Sequence, residues 1–259
     1  MPSIRTESLC FSYGGNDILH DIDLDIEGKG LVCIIGPNGV GKSTLIKCFN
    51  GLLRPTSGTV SVNGRPVGDY SVKELSELIG YVPSSTTMSF PMSVIDSVLL
   101  GRDSKSKWKL DPSDVLAAYR ALKVMRLDDM ALRNCNALSA GQMQKVNICR
   151  GLVRDSDIFI LDEPTSNLDI KHQIFITNFL QILAEESGRL IVMISHDLNI
   201  AARFADKVVV LKEPGVLCAY GRPEEVITEE MIRDVYSVSS RIIAHDGRPH
   251  VILDYAENW

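Results

Sequence analysis

Apolar and polar positions along this chain follow a strand rhythm near both ends and a helical rhythm in the middle. Residues 4 to 13 and 18 to 26 read as strands, the second with Ile18, Ile22, Leu24 and Ile26 on one face and Asp21, Asp23 and Asp25 on the other. Gly14-Gly15-Asn16-Asp17 is the loop between them. The apolar run Leu31 to Ile35 predicts a strand that enters a glycine-rich loop and then a helix through Phe49. Thr59 to Val67 alternates about an Asn63-Gly64 pair, a hairpin signal. Ser71 with Glu74 predicts a capped helix toward Leu78, and Ile79 to Pro83 a strand running into Ser84-Ser85-Thr86-Thr87.

From about Phe90 to Val153 the pattern becomes that of an inserted all-helical block. Pro91 and Ser93 precede Val94 to Leu100, Asp111-Pro112 opens a helix through Leu116, Tyr119, Leu122 and Met125, and Ser139 is the expected N-cap of a long helix. Ile158 to Leu161 and Leu190 to Ile194 are apolar throughout, as strands of a parallel sheet covered on both faces are. Between them a polar loop, residues 164 to 169, leads into a helix through Ile174, Phe175, Phe179 and Leu183. Strands at Lys207 to Leu211 and Val216 to Tyr220, a helix near Glu224, and a hairpin turning at Asp246-Gly247 between Arg241 and Asp254 complete the reading, with no internal repeat.

Composition narrows the class. With 259 residues and 45% hydrophobic content the chain can bury a large core. Lys and Arg number 27 against 33 Asp and Glu, a net charge of −6 without a basic tract, so a nucleic-acid partner is not implied. Apolar runs of four to five residues are far short of a membrane span, and MPSIRTESLCF lacks a secretory pattern. The six cysteines show no C-x-x-C spacing and read as reduced thiols of a cytosolic protein.

The chemistry gathers where strands end. Gly36-Pro37-Asn38-Gly39-Val40-Gly41-Lys42-Ser43 fits the phosphate-binding pattern G-x-x-x-x-G-K-[ST], whose backbone N–H groups point inward. In this reading the glycines keep Cβ atoms away from phosphate oxygens, Lys42 reaches the β and γ phosphates, and Ser43 ligates the accompanying Mg²⁺. Asp162 can hold Mg²⁺, directly or through water, and Glu163 can take a proton from the attacking water. His196, ending another buried strand, would face the same crevice and donate to a γ-phosphate; the plainer alternative is a helix cap. Tyr13, at the rim of the first strand, is either a half-buried strand residue or a ring on which a purine stacks. Leu138-Ser139-Ala140-Gly141-Gln142 opens its helix with an anion-attracting N-terminus, or is an ordinary capped helix.

In this order the pieces resemble the ATP-binding subunit of an ABC transporter over nearly the whole chain. GPNGVGKS resembles the Walker A loop, IFILDE the Walker B strand, LSAGQ the family signature, SNLD the D-loop and ISHD the switch histidine. The resemblance implies an α/β fold: a P-loop NTPase core with a mostly parallel sheet, an N-terminal antiparallel β subdomain and an inserted helical subdomain. The expected core is about 1–83 and 154–240, the helical subdomain about 84–153, and the hairpin tail about 241–259. It implies ATP and Mg²⁺ as cofactors, with Glu163 as general base, His196 on the γ-phosphate and Lys42 on the phosphates. Tyr13 would stack the adenine, the residues from Gly36 to Thr44 would bind phosphate, and Ser43 and Asp162 would serve the metal. Ser139, Gly141 and Gln142 would cap the ATP of a partner, which implies a head-to-tail homodimer.

Two positions depart from the family pattern. Ala140 replaces a glycine, tolerable if that residue needs no positive φ. Ser84 stands where the family has a glutamine, shorter by about 2.5 Å, so that it would reach Mg²⁺ and the lytic water only through another water. The segment from Ser89 to Arg102 and the tail Gly221 to Ile227 resemble subunits serving iron–siderophore, haem and cobalamin permeases. That implies an ATPase at the cytoplasmic membrane face, docked through Phe90 to Gly101 on integral membrane permease subunits and served indirectly by a substrate-binding protein. The alternatives are a soluble nucleotide-gated ABC ATPase, of the kind that acts on DNA or ribosomes, and a switch module that closes on ATP with weak hydrolysis.

Overall fold

The computed structural model describes residues 1–84, 91–102 and 111–254. Strands β1 (Ser3–Tyr13) and β2 (Asn16–Glu27) pair antiparallel across Gly14-Gly15, a shorter loop than the sequence suggests. The alternation in β2 is not continuous. Asp21 takes a left-handed φ of 49°, the register shifts between Leu9 and Phe11, and Leu19 rather than Ile18 joins Ile22, Leu24 and Ile26 in the core. After β3 (Gly30–Ile35) come α1 (Lys42–Phe49), β4 (Ser57–Val62) and the short β5 (Arg65–Pro66). Asn63 and Gly64 both have positive φ at the β4–β5 turn, which is why that dipeptide marks it. The first sheet has the order β2-β1-β4-β5.

Helix α2 (Val72–Leu78) carries the full capping box: Ser71 Oγ accepts the Glu74 N–H at 3.2 Å and Glu74 Oε2 accepts the Ser71 N–H at 2.8 Å. It leads into β6 (Ile79–Val82). The next described elements are α3 (Val94–Leu99), α4 (Pro112–Val124) and α5 (Ala140–Leu152), the last two separated by short 3₁₀ turns at Asp128–Met130 and Cys135–Ala137. Leu116 and Tyr119 of α4 point outward, and Ala118, Leu122 and Met125 form its buried stripe. The remaining elements are β7 (Ile158–Leu161), α6 (Ile170–Ser187), β8 (Leu190–Ile194), α7 (Leu198–Phe204), β9 (Lys207–Lys212) and β10 (Val216–Gly221). Helices α8 (Pro223–Val226) and α9 (Glu229–Tyr236) and the hairpin β11 (Ser240–His245) and β12 (Arg248–Leu253) follow. The buried face of α6 is Ile176, Leu180 and Ala184, one step round from the predicted stripe.

The second sheet runs β10-β9-β3-β8-β7-β6, parallel except for its β10 edge. Its central strands have no polar face because each face meets its own core. Leu31, Cys33, Phe159, Leu161, Ile191 and Met193 join the helices of the middle block and α6. Val32, Ile34, Ile158, Ile160 and Val192 join the antiparallel sheet and α1. Phe159 leaves no room beside it: a Cβ built on Gly151 of α5 would stand 2.5 Å from Phe159 Cε2 and 2.9 Å from Val82 Cγ2. Gly151→Ala is therefore expected to lower unfolding free energy by about 1–3 kcal/mol, measured by chemical denaturation; an unchanged midpoint would show that the ring yields without cost. No helix among the described residues is long and apolar enough to cross a membrane.

Candidate functional site

Parallel pairing aligns the C-terminal ends of three strands: Ile34 lies beside Ile194, and Leu161 beside both Val82 and Met193. The segments leaving Ile35, Leu161 and Ile194 therefore converge at one edge, where open α/β sheets form ligand crevices. The loop after β3 turns on glycines in the left-handed region, with φ of 148° at Gly36, 82° at Gly39 and 104° at Gly41. Two of them are demanded from beneath. A Cβ at Gly36 would stand 2.4 Å from the Leu211 carbonyl oxygen, and one at Gly41 would stand 2.7 Å from Leu19 Cδ2, whereas Gly39 meets nothing within 4 Å. Packing under the loop and backbone conformation, rather than clearance for phosphate alone, explain Gly36 and Gly41.

Val40 turns its side chain into the core, and neither it nor Gly36 or Pro37, all expected on the phosphates, lines the cavity. Lys42, 5% exposed, donates from Nζ to the Gly36 and Pro37 carbonyls at 2.8 and 2.7 Å. Burial lowers its pKa, and Glu163 and Asp162 oppose that shift, so the ammonium sits in reach of both carboxylates' fields. The cavity above is lined by Tyr13 and Ile18 at one end, by Asn38, Gly39 and Gly41 to Thr44 along the loop, and by Glu163 and His196 opposite. Tyr13 is 46% exposed and its ring is braced edge-on by Phe11 at 4.7 Å between centroids.

Ser43 Oγ donates to Asp162 Oδ1 at 2.9 Å, and Asp162 is 2% exposed. A hydroxyl and a carboxylate side by side are hard oxygen donors of the kind Mg²⁺ takes. Among the described residues no three acidic, His or Cys side chains cluster tightly enough to hold an ion alone, so a cation here would share its ligands with phosphate oxygens. Burial raises the Asp162 carboxyl above its ordinary value, with the Ser43 hydrogen bond opposing and Glu163 adding. A carboxyl raised by folding contributes stability at low pH and loses it as pH rises through the folded value. At neutral pH the ionised group is thus a cost. Asp162→Asn, which keeps an oxygen for Ser43, is expected to melt about 2–4 °C higher per kcal/mol regained, the gain vanishing toward low pH. Calorimetry of the nucleotide-free chain checks this, and a lower melting temperature at neutral pH would refute it.

Glu163 lies in the left-handed region at φ 51°, and its carbonyl accepts both the Ser166 N–H at 3.1 Å and the Ser166 hydroxyl at 3.0 Å. This turn throws the carboxylate back over the crevice, where Glu163 Oε1 meets His196 Nε2 at 2.7 Å. The sequence placed both residues at strand ends but carried no signal that they touch. Asp197, not His196, caps α7, accepting the N–H groups of Asn199 and Ile200 at 2.8 and 3.1 Å. Helix α9, absent from the sequence reading, buries Met231, Ile232 and Val235.

Ser139, Gly141 and Gln142 lie outside this cavity. Ser139 Oγ accepts the Gln142 N–H at 3.3 Å while Gln142 Oε1 accepts the Ser139 N–H at 3.0 Å, leaving the hydroxyl proton of Ser139 available. Ala140 begins α5 in helical conformation without positive φ, which meets the condition for replacing glycine. Ser84 is exposed beyond β6 and does not line the cavity. Residues 85–90, which include part of the expected permease-facing segment, lie outside the described residues.

Comparison with known proteins identifies a family. The sequence pattern of the family described as ABC transporter matches residues 19–166. A hemin import ATP-binding protein of Rhodopseudomonas palustris is 37% identical, over 98% of this chain and 96% of its own. A petrobactin import ATP-binding protein of Bacillus anthracis is 34% identical, over 93% and 88%. Among solved structures, a dimeric post-hydrolysis ATP-binding cassette holding ADP and phosphate is 28% identical with a TM-score of 0.75, covering 85% of this chain and 98% of that one.

Proposed function

The chain belongs to the ABC transporter family as an ATP-binding subunit with ATPase activity, and on that premise we propose that it drives import of a metal chelate through a membrane permease. The observation that carries the catalytic half is the Glu163–His196 pair, 2.7 Å apart, facing Lys42 and Ser43 across one cavity. Glu163 is the general base for water, and His196 orients it and contacts the γ-phosphate. Lys42 and the loop N–H groups bind the phosphates, Tyr13 stacks the adenine, and Ser43 with Asp162 would hold Mg²⁺, which supplies charge neutralisation when bound. Ser139, Gly141 and Gln142, standing away from their own chain's cavity, are read as the cap of ATP in a second copy arranged head to tail. The division into a core of about 1–83 and 154–240, a helical subdomain of about 84–153 and a tail of about 241–259 is part of this proposal.

Docking to a permease is supported by a groove of about 360 Å³ between α2, β6 and the helical block, lined by Leu52, Val72, Tyr81, Leu100, Arg150 and Arg154. Val72 is 88% exposed and Leu100 62%, an apolar rim suited to a short amphipathic helix. The chain is read as a peripheral subunit at the cytoplasmic face of a membrane, and no helix among the described residues is long and apolar enough to cross one. The chelate class rests on the hemin and petrobactin relatives. Two cargoes at nearly equal similarity argue that the permease and binding protein, not this subunit, select the molecule. The test is ATP hydrolysis by the purified chain over a range of protein concentrations, together with uptake of chelated iron in a deletion strain. Hydrolysis rising faster than linearly, and uptake restored by the wild-type gene but not by Glu163→Gln, are expected; strictly linear hydrolysis or unimpaired uptake would overturn the proposal.

A further inference from the structure

Helices α5 and α6 meet at a point that none of the roles above uses. Asp169, the N-cap of α6, accepts the His172 backbone N–H at 2.9 Å, and the ring Nδ1 of His172 lies 2.8 and 2.9 Å from the two Asp169 oxygens. Capping α6 needs only the backbone contact; the ring contact is additional and, with the proton on Nδ1, fixes the plane of the imidazole. Held this way the ring lies on the first turn of α5. A Cβ on Gly141 would stand 3.4 Å from His172 Cγ and Cδ2 and 3.7 Å from Nδ1. One turn along each helix, Lys145 Nζ lies 4.3 Å from the Phe175 ring centroid. Two contacts at helical spacing thus set the register of α5 on α6.

The junction joins the two ends of one chain's chemistry. Helix α6 begins at the loop that leaves Glu163, whose carbonyl is tied to Ser166, and α5 begins at Ser139. In the head-to-tail dimer proposed above, on which this inference rests, Glu163 serves one ATP and the first turn of α5 serves the other. We propose that His172, held by Asp169, is a positioning residue that fixes the first turn of α5 against α6 and so couples the two ATP sites of the dimer. A neighbour that merely filled space would need no tether to the helix cap.

The test compares full-length wild type, His172→Ala and His172→Phe by ATP hydrolysis against ATP concentration. Thermal melting is run alongside, and sedimentation with ATP in a Glu163→Gln background. Wild type is expected to give a Hill coefficient well above one and an ATP-dependent dimer. In His172→Ala the coefficient should fall toward one and KM rise about fivefold or more, with kcat changing less than KM and little loss of melting temperature. His172→Phe, which fills the space without the Asp169 contact, should resemble Ala. A wild-type Hill coefficient and KM in the Ala variant, or full recovery by Phe, would overturn the inference. So would losses of kcat and melting temperature in step, the mark of a purely structural role. If wild type shows neither a dimer nor cooperativity, the dimer reading fails and takes this inference with it.

Discussion

Glu163→Gln is expected to lower ATP turnover by about two to four orders of magnitude while leaving ATP binding nearly intact. The amide cannot take a proton from water, yet it is isosteric and retains an oxygen for the His196 Nε2 donor that lies at 2.7 Å in the wild type. The backbone that presents residue 163, with φ of 51° and its carbonyl held by Ser166, does not depend on the carboxylate charge, so the substitution should leave the turn in place. Phosphate release and nucleotide binding measured on the same preparation separate the two effects. A variant that kept a tenth or more of wild-type turnover would mean that the base lies elsewhere, and one that lost ATP binding would mean that Glu163 shapes the site rather than the chemistry.

Much of this arrangement was legible in the sequence because its signals are local. The Asn63-Gly64 and Asp246-Gly247 turns announce positive φ, Ser71 and Glu74 announce a cap, and wholly apolar strands announce a sheet covered on both sides. What the sequence did not carry is set by tertiary contact. The bulge at Asp21 exchanges Ile18 for Leu19 in the core, since one inserted residue reverses the alternation. The outward turn of Leu116 and Tyr119 depends on which face of α4 meets α5, and helical periodicity fits more than one stripe. Helix α9 buries Met231, Ile232 and Val235 from a segment that opens on two glutamates. The Glu163–His196 and His172–Gly141 contacts join elements far apart in the chain, and no spacing rule encodes them.

Lys42→Ala is expected to act one step earlier than Glu163→Gln, weakening ATP binding by about two orders of magnitude or more. A charge-assisted hydrogen bond contributes about 1.5–3 kcal/mol, a tenfold change is about 1.4 kcal/mol, and an ammonium between two phosphates makes more than one such bond. The structure favours a large value. The lysine is 5% exposed and its Nζ is held by the Gly36 and Pro37 carbonyls at 2.8 and 2.7 Å, so little side-chain freedom remains to be lost when a nucleotide arrives. The course of the loop is set by its glycines and by the packing beneath Gly36 and Gly41 rather than by the lysine, so the fold should survive. Calorimetric titration with ATP, run beside Glu163→Gln, gives the decisive contrast: one variant binds without turning over, the other fails to bind. If Lys42→Ala bound ATP within a few-fold of wild type yet did not hydrolyse it, the ammonium would belong to the transition state rather than to capture, and the loop N–H groups alone would hold the phosphates.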